Sequence, residues 1–132
     1  MAALVVGLAL SWSACASTIS FRAELKGENM VPPTASSASG YVRAAYDTQS
    51  RKLTWTGAAD GLSSKITRIA FHGPSSPAAG AGIVQRIASL SGGSTTLSDA
   101  EAAQLIAGYW SIIIQTRSHP AGEIRGQVVR GE

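Results

Sequence analysis

Near its C-terminus the chain reads Gly108-Tyr109-Trp110-Ser111-Ile112-Ile113-Ile114-Gln115-Thr116-Arg117-Ser118-His119-Pro120-Ala121-Gly122-Glu123-Ile124-Arg125-Gly126-Gln127-Val128-Val129. Two runs with high β propensity flank a short segment that holds Pro120 and Gly122, and this pattern predicts a β-hairpin with a long loop. The first run is apolar on both faces at Ile112–Ile114, which is typical of a central strand buried on two sides. The second run alternates, so its polar side chains share one face of the strand: Glu123, Arg125 and Gln127.

The rest of the chain reads mostly as short strands joined by polar turns. Residues 18–25 alternate apolar and polar side chains, which is typical of a strand buried on one face. Pro32 and Pro33 interrupt the next segment, and proline cannot donate a hydrogen bond to a sheet. The same criteria predict further strands at 40–46, 52–57, 66–71 and 83–87.

One segment departs from the strand pattern. Ser98-Asp99-Ala100-Glu101 has the spacing of a capping box, in which the Ser98 hydroxyl accepts the Glu101 N–H and the Glu101 carboxylate reaches back. Alanine, leucine and isoleucine follow until Gly108, a residue type that commonly ends helices. These signals predict one short helix at about 98–107, which plugs one end of the β-structure.

Three stretches, in matching order and spacing, resemble the CHRD domain family. They are Pro120-Ala121-Gly122-Glu123-Ile124-Arg125-Gly126-Gln127, Glu28-Asn29-Met30-Val31-Pro32-Pro33 and Phe71-His72-Gly73-Pro74. The resemblance covers about residues 20–129. It implies an all-β fold, namely a Greek-key or immunoglobulin-like β-sandwich of about seven strands with the one short helix. It also implies a domain class that often serves as an interaction scaffold.

Composition places the chain among single-domain globular proteins. With 132 residues, of which 45% are hydrophobic and 14% charged, it is long enough for one core. Eleven Lys and Arg residues against eight Asp and Glu residues give a net charge of +3. The basic residues are scattered along the sequence without interleaved aromatic residues, so we expect no nucleic-acid partner.

The N-terminal segment predicts an extracytoplasmic location, in the periplasm or at the cell surface. Residues 4–10 form an apolar block that is typical of a signal-peptide core and marginal for a membrane span. Ala14-Cys15-Ala16 offers a cleavage pattern, and Ser13-Ala14-Cys15 resembles the end of a lipobox, with Cys15 as the candidate lipidation site. Residues 1–17 are therefore a signal peptide, a lipoprotein signal or an N-terminal membrane anchor, and residues 18–132 form the CHRD-like β-sandwich domain.

His72 is the most suggestive residue for metal chemistry. The family usually carries His-x-His-Gly-Pro in this strand and a third His in a later strand, and such imidazoles could converge on a metal ion. Here Ala70 and Gln115 occupy the other two positions, so we expect no cofactor. The alternative is a copper or zinc site at His72 with Gln115 or His119 as neighbours. Gln115 could instead hydrogen-bond to His72, and His119 could be an exposed loop residue.

The sequence offers no convergent catalytic set, so we expect no enzyme. Glu123 has no evident second carboxylate of the kind that glycosidases need, and Ser75 and Ser76 lack a nucleophile-elbow setting. We expect a structural or protein-interaction module that is membrane-associated and serves as an accessory subunit of a larger membrane complex. Its partners would be other protein subunits and, through the N-terminal segment, the membrane. The alternative function is metal binding at His72.

Overall fold

The computed structural model describes residues 17–132, and these form nine β-strands and one α-helix. The predictions for residues 1–16, including lipidation of Cys15, lie outside the described residues. In chain order the elements are β1 (Thr18–Lys26), β2 (Ser39–Asp47), β3 (Lys52–Asp60), β4 (Ile66–His72), β5 (Ile83–Ile87), β6 (Gly93–Thr96), α1 (Asp99–Ile106), β7 (Ser111–Thr116), β8 (Ile124–Gln127) and β9 (Val129–Arg130).

The strands form one curled antiparallel sheet in the order β5-β4-β7-β8-β1-β2-β3-β6, with β9 beside β1. Side chains join the two edge strands, since Thr95 of β6 donates to Gln85 of β5 at 3.4 Å. The Gln85 amide also donates to Glu101 of α1 at 2.9 Å. The sheet is therefore nearly closed, like a barrel, with the helix beside the gap.

The concave face of the sheet buries the apolar core. Ile112 and Ile114 of β7 are fully enclosed, while Ile113 is buried on the opposite face. β7 is thus covered on both sides, as its unbroken apolar run predicts. Phe71 joins the aromatic part of the core, with ring centroids 5.9 Å from Trp55 and 5.3 Å from Trp110. Both tryptophans are buried: Trp55 alternates with exposed residues along β3, and Trp110 directly precedes the central strand β7.

The helix begins with the predicted capping box. The Ser98 hydroxyl accepts the Glu101 N–H at 3.1 Å, and the Glu101 carboxylate accepts the Ser98 N–H at 2.8 Å. Ala102 and Leu105 face the core, and Gly108 follows the last turn with a φ of 89°, which favours glycine. Local capping and an apolar face on the core together explain why this segment is helical.

The all-β class with one short helix is confirmed. The structure has nine strands where about seven were expected, because a short strand β6 is added and the last predicted strand divides into β8 and β9. β6 reads Gly93-Ser94-Thr95-Thr96 and carries no apolar alternation, so its sequence gives no strand signal.

Candidate functional site

Three alternate residues of the last hairpin strand form a row on its outer face. Glu123 immediately precedes β8, while Arg125 and Gln127 belong to it, and all three side chains bind loops that lie outside the strand. We call these three residues the anchor row. Their shared face follows from the two-residue repeat of a strand, as the sequence predicts. The near-complete burial of Glu123 and Arg125 does not follow from that repeat.

The Glu123 carboxylate binds two loops, one containing Ser36 and the other containing Ser63, and also Thr116 of β7. One oxygen accepts the Ser36 hydroxyl at 2.6 Å and the Ser63 N–H at 2.9 Å. The other accepts the Ser63 hydroxyl and the Thr116 hydroxyl, each at 2.8 Å. Burial raises the pKa of Glu123, but the hydrogen bonds from Ser36, Ser63 and Thr116 outweigh it and lower the pKa to about 2. The carboxylate is therefore ionised at neutral pH although its side chain is 0% exposed.

Arg125 binds two further loops through backbone carbonyls. Its guanidinium donates to Asn29 O at 3.1 Å and to Ser76 O at 2.7 Å. It also donates to the Gln127 side chain at 3.0 Å. Among residues 17–132 no carboxylate lies within ion-pair distance of Arg125, so carbonyl and amide oxygens balance its buried charge. Burial also lowers the pKa of Arg125.

Gln127 completes the row. Its amide donates to Ser75 O at 3.0 Å and to Gly108 O at 2.9 Å, where the helix meets β7. Ser75 is itself buried and donates its hydroxyl to Ser111 on the neighbouring strand at 3.1 Å. The row therefore joins the helix end, the 73–82 loop and the 27–38 loop to one strand.

We call the two long loops, residues 27–38 and 73–82, together with Tyr109, whose carbonyl accepts the Ser75 hydroxyl at 3.2 Å, the loop platform. Both loops reach Arg125, and residues 34–36 are also fixed by Glu123, because Thr34 donates to its backbone carbonyl at 2.8 Å. The platform exposes Val31 to 43% and Tyr109 to 53%. Apolar side chains are thus presented to solvent on loops that the anchor row holds in place.

Comparison with known proteins agrees with this description. The family model of the CHRD domain matches residues 21–128, which is most of the chain. The chain belongs to the CHRD domain family. CHRD domains form a family of non-catalytic modules that are generally found outside the cytoplasm. No curated protein and no solved structure matched the chain significantly.

His72 of this CHRD domain is held by a backbone contact. Its Nδ1 lies 2.8 Å from Ala81 O, and a carbonyl only accepts, so Nδ1 carries the proton and Nε2 the lone pair. Burial lowers the pKa of His72. Opposite His72 on β7 stands Ser111, whereas Gln115 is opposite Arg68 and accepts its Nε at 3.0 Å. His72 and Gln115 are therefore about 13 Å apart along the sheet, and the structure does not join them.

His119 lies beyond the other end of β7, at the anchor row. Its Nδ1 is 3.4 Å from the Glu123 carboxylate and close to the hydroxyls of Ser63 and Ser118. Its side chain is 30% exposed and contacts Glu123, so His119 is not a freely exposed loop residue. His72 pairs with Ser111 at the opposite end of β7, so the two histidines are not neighbours. The acid and the hydroxyls all contact the same ring nitrogen, whereas a catalytic triad uses opposite nitrogens. This arrangement therefore lacks triad geometry.

Within the described residues, no set of three or more His, Cys, Asp and Glu side chains is placed to hold a metal ion. Copper or zinc binding at His72 stays a prediction. No helix in residues 17–132 is long and apolar enough to cross a membrane. The role of Ser36 and Ser63 in binding Glu123 was missed from the sequence, because serine in a polar connection has no distinctive pattern.

Proposed function

We propose that this CHRD domain is a non-enzymatic structural module that binds other protein subunits outside the cytoplasm. The observation that carries this proposal is the loop platform, in which two long loops are fixed on one face by the anchor row. We further propose that the module is membrane-associated, as an accessory subunit of a larger membrane complex. The sequence of residues 1–17 supports that part of the proposal.

The construction of the loop platform suits protein binding. A loop that is already ordered loses little conformational entropy when a partner binds, so more of the contact energy appears as affinity. Exposed Val31, the prolines beside it and exposed Tyr109 supply apolar contact area, and tyrosine is enriched at protein interfaces. The polar groups of the anchor row are already buried and do not need to be desolvated on binding, and all of them except the Arg125 Nε have hydrogen-bond partners inside the domain.

The chemistry of the same row supports a non-catalytic role. A catalytic carboxylate needs a pKa near the working pH and access to substrate. Glu123 has a pKa of about 2 and a fully enclosed side chain with four hydrogen bonds to its oxygens. Glu123 is therefore too weak a base and too enclosed to act on a substrate, and its role is to bind the loops that carry Ser36 and Ser63.

The test is site-specific photo-cross-linking of the full-length chain in its native membranes. A photoreactive residue replaces Val31 or Tyr109 on the platform. Matched controls replace Tyr41 or Ile66, which are also exposed but lie on β2 and β4, outside the platform. We expect both platform positions, and neither control, to form an adduct with the same membrane-fraction protein at a fixed ratio to this chain.

Intact mass of the same preparation tests the membrane part separately. A chain that keeps its N-terminal segment, or carries lipid on Cys15, and that sediments with membranes supports association. A soluble chain that begins near Ser17, with no adduct from either platform position, would overturn the proposed function as a whole.

A further inference from the structure

Three arginines that are far apart in the sequence meet on the outer face of the sheet. Arg68 lies in β4 and Arg86 in β5, while Arg117 follows the end of β7. They line one open groove of about 550 Å³ together with Thr67, Gln115 and Thr116. We call it the arginine groove. A second hollow of about 380 Å³ shares Thr67, Arg68 and Arg86 with it, so the groove continues along the edge of the sheet.

Strand register explains this clustering. β4 lies between β5 and β7, and Ala70 stands opposite Arg86 on one side and Ile113 on the other. Arg68 and Ala70 are two residues apart on β4, so Arg68 and Arg86 share the outer face as diagonal neighbours. Arg117 is two residues beyond Gln115, which pairs with Arg68. Adjacent strands are about 4.8 Å apart, so the three residues span roughly 10 Å across the sheet.

The groove has an excess of positive charge. The ion pairs of residues 17–132 involve Lys26, Arg51 and His119, and none reaches these three arginines. Arg68 is held by Gln115 through a neutral hydrogen bond at 3.0 Å, which fixes the guanidinium without cancelling its charge. Arg86 and Arg117 are exposed. Like charges gathered on one surface repel each other, and an anionic ligand would relieve that repulsion.

We propose that the arginine groove binds an acidic polysaccharide that carries carboxylate or sulfate groups along its length. Guanidinium groups bind such anions through paired N–H donors. A chain with repeated anionic groups can contact all three arginines together. The exposed Thr67 hydroxyl and the Gln115 amide N–H groups offer partners for sugar hydroxyls, whereas the buried Thr116 hydroxyl is already bound to Glu123. The 550 Å³ part of the groove is lined by polar and charged side chains and Pro120, without the aromatic residues that commonly anchor a protein partner, so a polysaccharide fits it better than a protein does.

This inference does not depend on the proposed function, because the arginine groove lies outside the loop platform. The experiment measures binding of the full-length chain to polygalacturonate, which is carboxylated, and to dextran sulfate. Neutral dextran and polyglutamate serve as comparison polymers. Arg86→Gln with Arg117→Gln removes two exposed charges from the groove. Arg43→Gln with Arg130→Gln removes two exposed charges elsewhere and is the charge-matched control.

We expect the groove variant to lose about tenfold or more in affinity for at least one acidic polysaccharide, and the control to stay within about twofold. Which of the two polymers binds identifies carboxylate or sulfate as the recognised group. Equal losses in both variants would show attraction by net charge alone and overturn the proposal. Tighter binding to polyglutamate, or no binding to either polysaccharide, would also overturn it. Arg68 stays unchanged, so its hydrogen bond with Gln115 is kept and both variants should fold.

Discussion

Replacing Glu123 by Gln tests whether the anchor row stabilises the fold. The carboxylate accepts hydrogen bonds from four donors, namely the hydroxyls of Ser36, Ser63 and Thr116 and the Ser63 N–H, which reaches both oxygens. A Gln side chain keeps one oxygen and turns the other into a donor, so it has the same shape but loses two of these bonds. If the amide replaces the oxygen that faces the Ser63 N–H, two donors meet in a buried site.

The expected loss follows from that count. A hydrogen bond to a charged group contributes about 1.5 kcal/mol or more, so losing two lowers the free energy of unfolding by about 3 kcal/mol. Small domains have a total of roughly 5–15 kcal/mol, so the loss is a large fraction. Urea denaturation followed by tryptophan fluorescence measures it, because Trp55 and Trp110 are buried in the core.

The same variant should change the pH dependence of stability. The folded pKa of Glu123, about 2, lies below its ordinary value of 4.5, so the unfolded chain binds the proton more readily. The stabilisation is therefore fully present above about pH 4.5 and is lost as the pH falls towards 2. Glu123→Gln removes this dependence, so the wild-type and variant curves should converge on acidification.

Glu28→Gln is the matched control, because Glu28 is exposed and pairs with Lys26 only at 4.0 Å. It should change stability by less than about 0.5 kcal/mol. A loss below about 1 kcal/mol in Glu123→Gln, or a difference from wild type that stays constant between pH 5 and pH 2.5, would refute the reasoning. A small loss would mean that water satisfies the donors once the charge is gone, and a constant difference would mean that the stabilisation does not depend on the ionised form of Glu123.

Two further stability predictions concern other elements. Ser98→Ala removes the acceptor of the Glu101 N–H and should cost about 1 kcal/mol, measured by urea denaturation; no loss would mean that the capping box does not hold α1 in place. Gly126→Ala would place a Cβ 2.5 Å from Glu24 O on β1, so β8 must shift; we expect a loss of roughly 2–3 kcal/mol. Gly80→Ala is its control, since open space surrounds Gly80, and equal effects in the two alanine variants would contradict the close approach of β8 to β1.

The elements with strong local signals were predicted from the sequence. The strand at 83–87 agrees at both ends, and the helix begins at its capping box, because periodicity and capping depend on neighbouring residues. β6 was missed because its pairing with β3 uses backbone groups that leave no mark in its composition. Local sequence patterns therefore predict most individual strands and the helix, whereas the order and register of the strands depend on long-range pairing.

The contacts of the candidate site residues were even less predictable from local sequence patterns. Gln115 and His72 are in strands that pair, but a register set by the whole sheet places Gln115 beside Arg68. His119 was considered as a partner of His72, yet the hairpin places it beside Glu123. The arginine groove combines residues from three segments, so the scattered basic residues of the sequence gave no indication of it. Each of these contacts joins residues at least several positions apart, where single-sequence patterns carry no information.

The contacts of alternate residues in the closing motif of the CHRD domain explain why these residue types occur there. Glu123 binds the 27–38 loop, Gln127 binds the 73–82 loop and Arg125 binds both, while Ile124 packs in the core. Gly126 allows the backbone of β8 to approach β1, as its missing Cβ requires. Each position from 123 to 127 therefore has a structural role that is independent of any ligand. It follows that the motif identifies the fold, and that differences in binding between CHRD domains should arise in the loops that the row holds and on the outer face of the sheet.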